Sequence, residues 1–154
     1  MHLSIDADND GSGENESVGR TRVLVIDDDQ ETTDMLKLIL EPSAFEVVTT
    51  NSGSQGIEMA RKLNLDVVIV DLLMPGMNGL QVCEAVRKFS GVPILVLSAV
   101  SKPGIVAQAL NNGADDFMLK PMKSSLLIAS INKLARRARA EQEAFRRNGA
   151  YRMA

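Results

Sequence analysis

Val23-Leu24-Val25-Ile26-Asp27-Asp28-Asp29 is the stretch that decides how this chain folds, because it joins an unbroken apolar run to a cluster of acids. Such a run, bounded by polar residues, is typical of a strand covered on both faces, as in a parallel sheet. Apolar runs recur at four other places: residues 45–48, 67–70 before Asp71, 92–97 before Ser98, and 117–119 before Lys120. The sequence therefore predicts five strands.

Between and after these strands lie segments whose apolar residues recur at helical spacing. They centre on residues 35–40, 57–63, 80–89, 105–110 and 127–134. Capping residues support two of these assignments, with Asn78 before the third helix and Ser101 before the fourth. The alternation of strand and helix predicts an α/β fold, in which a doubly wound five-stranded parallel sheet carries helices on both faces.

Composition excludes several classes of protein. The chain has 154 residues, which indicates one domain. Cys83 is its only cysteine, so an internal disulfide is excluded, and its apolar neighbours indicate core packing. No apolar run approaches the roughly 20 residues needed to cross a bilayer, and the first residues lack the features of a signal peptide. We therefore expect a cytoplasmic protein with no membrane partner.

The charge is unevenly distributed and suggests how the chain is divided. Residues 1–20 carry five acids and one Arg, and we expect a disordered acidic leader there. Residues 21–138 hold the alternating pattern of the folded domain. Residues 132–154 carry seven Lys or Arg and two Glu, so we predict a basic C-terminal helical extension or tail over residues 139–154. A solvated helix, a dimerisation or docking helix, and a nucleic-acid contact are the alternatives for this extension.

Polar side chains follow four of the predicted strands. Asp27 and Asp28 follow the first, Asp71 the third, Ser98 the fourth and Lys120 the fifth. In an open α/β sheet, ligands bind beyond the carboxyl ends of the strands, at the point where the strand order reverses. If the order is 2-1-3-4-5, the first and third strands are neighbours and the three acids converge in one crevice.

Three carboxylates in one crevice repel each other, so they are either protonated or neutralised by a hard cation such as Mg²⁺. The ammonium of Lys120 and the hydroxyl of Ser98 both suit the oxygens of a phosphoryl group, which favours the cation. Asp71 precedes a loop with Pro75 and Gly76 that exposes its carboxylate, and a carboxylate can act as a nucleophile. The residues thus indicate Mg²⁺-dependent phosphoryl transfer to Asp71.

These motifs together resemble the receiver domain of two-component response regulators, within a chemotaxis-regulator-like superfamily, over residues 21–138. The resemblance rests on four blocks in order: VLVIDDD (residues 23–29), VDLLMPGMNG (70–79), LSA (97–99) and GADDFMLKP (113–121). It implies a flavodoxin-like fold with strand order 2-1-3-4-5.

The resemblance also implies a role for each acid in the crevice. Asp71 matches the phosphoacceptor and is itself a metal ligand. Asp28 matches the direct Mg²⁺ ligand, Asp27 its acidic neighbour, and the backbone carbonyl of Leu73 the third protein ligand.

Four further positions match the residues that bind and sense the phosphoryl group. Lys120 matches the phosphoryl-binding lysine, and its bond to Pro121 is expected to be cis. Ser98 matches the switch hydroxyl, with the amide of Ala99 beside it, and Phe117 matches the switch aromatic. By contrast, we expect Asp29 to cap the first helix.

The implied function is a signalling switch in a phosphorelay and not an enzyme. A histidine kinase or phosphotransfer protein is the expected phosphoryl donor, the output protein is unknown, a homodimer is possible, and no nucleic-acid contact is expected from this chain alone. One alternative is a fragment of a longer response regulator with a DNA-binding or enzymatic output domain. Another is an aspartate-nucleophile phosphatase of the haloacid-dehalogenase type, since Asp27 and Asp29 have its DxD spacing.

Two minor expectations concern residues near these motifs. Leu73 and Val100 are apolar and flank the site, so we expect them to slow hydrolysis of the acyl phosphate. Asp115 and Asp116 precede the fifth strand and are expected to be solvated.

Overall fold

The computed structural model describes residues 19–152 of the chain, with side chains as far as residue 149. Within this range strands and helices alternate five times, and a short 3₁₀ turn, Glu41–Ser43, follows the first helix. The elements are β1 (Thr21–Ile26), α1 (Gln30–Leu40), β2 (Phe45–Thr50), α2 (Gly53–Lys62), β3 (Val67–Asp71), α3 (Gly79–Arg87), β4 (Ile94–Ser98), α4 (Pro103–Asn111), β5 (Asp116–Leu119) and α5 (Ser124–Arg152).

The five strands form one parallel sheet in the order β2-β1-β3-β4-β5. This confirms the predicted fold class and the strand order. In the register of the sheet, Ile26 pairs with Thr50 on one side and with Val70 on the other. The carboxyl ends of β1, β2 and β3 therefore lie at one edge, and the residues that follow them are brought close together.

The sheet is buried on both faces, as the unbroken apolar runs predicted. Val23 and Val25 of β1 pack with α1 and α5, whereas Leu24 and Ile26 pack on the opposite face with α2 to α4. Cys83 of α3 is fully buried in this second layer, which confirms its predicted core position. Each fully buried aliphatic side chain contributes about 1.5–3 kcal/mol to folding.

Of the three residues predicted to cap helices, Asp29, Asn78 and Ser101, the first two do so in the structure. Asn78 caps α3 in a reciprocal capping box with Gln81, and Asp29 caps α1 by accepting a hydrogen bond from the Glu31 N–H. The prediction that Ser101 caps α4 is wrong. The residue at the cap is Lys102, without a side-chain cap bond, and Pro103 follows it. Proline has no N–H, so the first turn of α4 presents one donor fewer that needs a cap.

The last helix is longer than the family resemblance covers. It runs from Ser124 to Arg152 without a break at residue 138, so the predicted basic extension is helical as far as it is described. The predicted division at residue 138 is not marked by secondary structure and stays a prediction. The predicted leader, apart from residues 19 and 20, lies outside the described residues. Over the range described, none of the helices combines the length and apolarity that crossing a membrane requires.

Candidate functional site

Three acids converge at the carboxyl edge of the sheet. Asp27 and Asp28 follow β1, and Asp71 is the last residue of the neighbouring strand β3. One carboxylate oxygen from each of the three lies within 4.8 Å of the others. Asp27 and Asp71 are buried, with 2% and 8% of their surface exposed, while Asp28 is open to solvent. Three carboxylates this close, two of them poorly hydrated, repel each other strongly when they carry charge.

Lys120 approaches this cluster from the end of β5. Its Nζ lies 2.8 Å from Asp27 Oδ2 and 3.5 Å from Asp71 Oδ1. The Lys120 backbone N–H donates to the carbonyl of Ser98 on β4, and the Lys120–Pro121 bond is cis, as the resemblance implied. The hydrogen bond to Ser98 thus fixes the backbone of Lys120 beside the end of β4.

The pKa of Asp71 reflects its crowded position. Burial and the neighbouring charge of Asp27 raise the pKa of this carboxyl above its ordinary value, and the Lys120 ammonium only partly offsets them. For Lys120, burial alone would lower the pKa, but the hydrogen bond to Asp27 and the charges of Asp71 and Asp27 outweigh burial and raise it. Lys120 therefore remains an ammonium and can bind an anionic oxygen.

The charges of the site fit a divalent cation. Three carboxylates and one ammonium leave a formal excess of two negative charges in a crevice that is largely buried. Carboxylate oxygens are the ligands that Mg²⁺ takes in proteins, together with water and substrate phosphate. The donor set is therefore suited to Mg²⁺ and lacks the soft thiolate ligands that would favour zinc or copper.

Asp27 is oriented by residues from three parts of the chain. Its Oδ1 accepts from the backbone N–H of Asp29 and its Oδ2 from Lys120, so both carboxylate oxygens are engaged. The amide of Asn51 donates to the Asp27 carbonyl at 2.8 Å and to Thr33 Oγ1 at 3.2 Å. Asn51 was not predicted. The only feature of the sequence that could have pointed to Asn51 is that it is a polar residue directly after β2, the strand that lies beside β1 in the sheet.

Ser98 ends β4 beside the cluster. It is fully buried, and its Oγ accepts a hydrogen bond from the Val100 N–H at 3.0 Å. In the register of the sheet Asp71 pairs with Leu97, so Ser98 lies one residue beyond Asp71 toward the site. Ala99, which follows, is exposed at the start of the loop that leads to α4. The hydroxyl thus lies at the edge of the crevice, and its hydrogen bond with Val100 holds the start of this loop against β4.

Phe117 lies on β5, beside Val96 of β4. It is half-buried and packs with the apolar layer on the α2 to α4 side of the sheet. The switch role of Phe117 stays a prediction.

The loop after Asp71 is held tightly to the strand. The Gly79 N–H donates to the carbonyl of Leu72 at 2.9 Å. A Cβ on Gly79 would lie only 2.5 Å from the carbonyl oxygen of Asp71, so only glycine fits at this closure. Within the loop Leu72 is buried, whereas Leu73 is 52% exposed. Leu73 therefore stands at the open mouth of the site.

The expectation that Asp115 is solvated is wrong. Its carboxylate accepts from Arg87 at 2.7 Å, from Arg137 at 2.8 Å and from the backbone N–H of Ile94 at 2.8 Å. These contacts lie at the amino edge of the sheet, where α3 and α5 meet the start of β4. Asp115 is therefore a structural residue remote from the acid cluster, and packing of elements distant in the chain placed its partners.

Comparison with known proteins agrees with this geometry. The family model described as the response regulator receiver domain matches residues 23–132. Among curated proteins, the DNA-binding response regulator MtrA of Mycolicibacterium smegmatis is 41% identical over 118 residues, which are 77% of this chain and 52% of MtrA. The cell cycle transcriptional regulator CtrA of Caulobacter vibrioides is 32% identical over 129 residues, 83% of this chain and 56% of CtrA. The chain thus spans about half the length of the curated relatives it matches.

Solved structures give the same result over about three quarters of the chain. The receiver domain of the Francisella response regulator 1452 superposes with a TM-score of 0.73 at 28% identity, covering 77% of this chain and 99% of that one. The signal receiver domain of the putative response regulator NarL from Mycobacterium tuberculosis superposes with a TM-score of 0.72 at 32% identity, covering 76% and 97%.

Proposed function

The chain belongs to the response regulator receiver domain family, and from this premise we propose that it is a phosphoacceptor switch in which Asp71 takes the phosphoryl group. Response regulators receive phosphoryl groups from histidine kinases and act on output partners. The observation that carries the proposal is the convergence of Asp27, Asp28, Asp71 and Lys120 around one crevice.

Asp71 is the best candidate for the attacked carboxylate. Both oxygens of Asp27 already accept hydrogen bonds, from Asp29 and Lys120. Asp28 is exposed and therefore well hydrated, which makes its carboxylate a poorer nucleophile. Asp71 is buried at the end of a central strand, and its nearest cation, Lys120, lies at 3.5 Å from Oδ1. An oxygen of Asp71 is thus left for attack on phosphorus.

The reaction transfers the phosphoryl group between two nucleophiles. A carboxylate oxygen of Asp71 attacks the phosphorus of a phosphohistidine in line, while the phosphorus–nitrogen bond breaks and its electron pair returns to the imidazole. Lys120 binds a phosphoryl oxygen as the charge shifts onto Asp71. Asp27, Asp28, Asp71 and the Leu73 carbonyl would hold Mg²⁺, which when bound supplies positive charge that offsets the repulsion between carboxylate and phosphoryl oxygens.

In this proposal the switch acts through the hydroxyl of Ser98. At present its Oγ accepts from the Val100 N–H and holds the loop before α4. An acyl phosphate on Asp71 offers strong acceptor oxygens, to which Ser98 and the Ala99 amide donate in one conformation better than in the other. The difference in affinity moves the loop and changes the surface of α4 and β5, including Phe117.

A direct test is the stoichiometry of phosphorylation. The chain is incubated with acetyl phosphate, with and without Mg²⁺, and its intact mass is measured. We expect one phosphoryl group per chain, dependent on Mg²⁺, and none on Asp71→Asn. Asp34→Asn, an exposed acid on α1, is the matched control and should be labelled like the wild type. Labelling of Asp71→Asn at the wild-type level would refute the assignment.

The same test separates a switch from a phosphatase of the haloacid-dehalogenase type. In such an enzyme the second Asp of the DxD pair reaches the substrate. Here the two oxygens of Asp29 accept from the Glu31 N–H and from Thr32 Oγ1, which directs Asp29 to the start of α1. We therefore expect stoichiometric labelling and no sustained turnover of a generic phosphomonoester. Sustained turnover lost in Asp29→Asn would favour the enzyme.

A second candidate function is the regulatory half of a DNA-binding response regulator. It is supported by the matched relatives, since MtrA is named as DNA-binding and this chain covers 52% of it. An immunoblot of cell extract with an antibody raised against this chain distinguishes the two candidates. A protein that acts without a further domain should be detected near 16.7 kDa, whereas the regulatory half of a longer regulator should be detected within a clearly larger product.

A further inference from the structure

The backbone carbonyl of Asp27 lies just beyond the paired part of β1 and β2. The Asp27 N–H donates to the carbonyl of Thr50 at 3.2 Å, which continues the ladder by one bond. In a parallel ladder the Asp27 carbonyl would accept next from the N–H of Ser52. That N–H donates instead to Thr50 Oγ1 at 3.3 Å. Because Asp27 is only 2% exposed, its carbonyl needs another donor within the protein.

The side chain of Asn51 supplies this donor. Its Nδ2 donates to the Asp27 carbonyl at 2.8 Å. A carbonyl oxygen can only accept, so the nitrogen of the amide, and not its oxygen, must face it. The same nitrogen carries a second hydrogen and also donates to Thr33 Oγ1 on α1, at 3.2 Å. Asn51 therefore takes the place of the missing ladder bond and links the end of β2 to α1.

The hydroxyl of Thr33 orients that amide. Thr33 is fully buried near the start of α1, and its Oγ1 donates to the carbonyl of Gln30 at 3.0 Å while it accepts from Asn51. A buried hydroxyl costs stability unless it is hydrogen-bonded, whereas a valine of nearly the same shape would have no polar group to satisfy. The hydroxyl is therefore explained by its two hydrogen bonds, one of which holds Asn51.

This arrangement fixes the peptide that joins Asp27 to Asp28. A peptide unit is planar, so a fixed Asp27 carbonyl also fixes the direction in which the chain enters Asp28. Asp28 is open to solvent, and the position of its carboxylate in the acid cluster depends on that backbone. The two hydrogen bonds of the Asn51 side chain go to a carbonyl and a hydroxyl, so Asn51 acts on the carboxylates only through the backbone.

We propose that Asn51 and Thr33 are positioning residues of the acid cluster, which hold Asp28 where it can serve as a ligand for Mg²⁺. The inference rests on the metal site of the proposed function. Without the Asn51 amide the buried Asp27 carbonyl lacks its donor, and the turn has to rotate toward water to regain one. That rotation moves the Asp28 carboxylate away from Asp71 and weakens cation binding. Removal of residues that orient metal ligands typically weakens metal binding by about 10–100-fold.

Mg²⁺ titrations of the full chain, followed by amide NMR spectra, test this role. We expect Asn51→Ala to bind Mg²⁺ about ten-fold more weakly than the wild type, and Thr33→Val to bind it more weakly by a smaller factor. In the double variant the loss should equal that of Asn51→Ala alone, because Thr33 acts through Asn51. Thr33→Ser keeps the hydroxyl and should bind Mg²⁺ like the wild type, although the lost methyl group lowers the midpoint of urea unfolding.

Ser52→Ala is the matched control. It removes the N-cap of α2, where Ser52 Oγ accepts from the Gln55 N–H, and it should therefore lower stability. The hydroxyl of Ser52 bonds to Gln55 and Ser54 and not to the turn after β1, so the affinity for Mg²⁺ should not change. Wild-type affinity in Asn51→Ala, or an equal loss in Ser52→Ala, would overturn the proposal.

Spectra recorded in EDTA separate this proposal from the proposed function. The Asp29 N–H donates to Asp27 Oδ1 at 3.0 Å, so its resonance reports the shape of the turn without metal. This resonance should move in Asn51→Ala and stay in place in Ser52→Ala. If the wild type bound no Mg²⁺, the proposed metal site would be refuted, while a moved Asp29 resonance would still support the positioning of the turn by Asn51. An unmoved resonance in Asn51→Ala would overturn it.

Discussion

The ammonium of Lys120 lies 2.8 Å from the carboxylate of Asp27, although 93 residues separate the two in the chain. The contact crosses the ends of β3 and β4, because the sheet order places both strands between β1 and β5. The side chain of Lys120 therefore also lies close to Asp71. Its ammonium neutralises part of the negative charge that a bound cation would otherwise neutralise.

Lys120→Met should increase the affinity of the site for Mg²⁺. The ammonium repels a cation held by Asp27 and Asp71, so its removal is worth about 1 kcal/mol, or roughly five-fold in Kd, after allowance for solvent screening. Titration calorimetry measures the change. Lys123→Met, an exposed lysine nearby in sequence, should bind Mg²⁺ like the wild type. Weaker binding in Lys120→Met would contradict the prediction.

Asp71→Asn should stabilise the chain in metal-free buffer. The substitution removes one charge from the buried cluster and so relieves the repulsion between Asp71 and Asp27, which we expect to raise the free energy of unfolding by about 1 kcal/mol. Added Mg²⁺ should stabilise the wild type more than the variant, since the bound ion uses the third carboxylate. Thermal unfolding followed by circular dichroism, with EDTA or Mg²⁺, tests both statements. A variant less stable than the wild type in EDTA would refute the first.

Gly79→Ala should destabilise the fold and disturb the site. The new Cβ would lie 2.5 Å from the Asp71 carbonyl oxygen and 2.8 Å from Leu72 Cα, and both are backbone atoms that cannot move aside cheaply. We expect a loss of about 1–3 kcal/mol in urea denaturation, together with slower phosphorylation. Gly91→Ala is the control, because nothing lies within 4 Å of its added Cβ. Equal stability of the two variants would contradict the prediction, because it would mean that the loop shifts to make room for the new Cβ at no cost in stability.

Cys83 should resist thiol reagents while the chain is folded. Burial raises the pKa of its thiol to about 11, so the reactive thiolate is scarce at pH 8. Ellman's reagent should react at once only in denaturant. The raised pKa in the folded state also makes the stability depend on pH. The thiol of the unfolded chain ionises first as the pH rises from about 9, and this favours unfolding. The wild type should therefore lose stability above that pH relative to Cys83→Ala. Parallel stability curves between pH 8 and 11 would count against it.

Leu73→Asn should shorten the lifetime of the acyl phosphate. Leu73 is 52% exposed at the mouth of the proposed site, and a polar amide there can position a water that the apolar side chain cannot. Decay of the labelled protein after removal of the donor should accelerate several-fold. Leu126→Asn changes a similarly exposed leucine on α5 and should leave the decay unchanged. An unchanged lifetime in Leu73→Asn would remove the proposed role.

The residues that define each element could be recognised one segment at a time. The apolar run 23–26 predicts a doubly buried strand without reference to any other segment, and Asn78 with Gln81 satisfies a helix start through bonds three residues apart. The parallel register then follows, because strands joined by helices in right-handed crossovers meet the sheet edge at the same end. This is why Asp27, Asp28 and Asp71 could be expected in one crevice.

Contacts between distant segments could not be recognised in this way. The three partners of Asp115, the bond from Asn51 to the Asp27 carbonyl and the path of α5 past residue 138 each depend on how whole helices pack. Sequence patterns determined which segments become strands and helices, and which polar residues end the strands, because those preferences are local. The tertiary structure alone decided the specific partner of each charge, since a contact at 2.8 Å between Lys120 and Asp27 exists only after the sheet has ordered five separate strands.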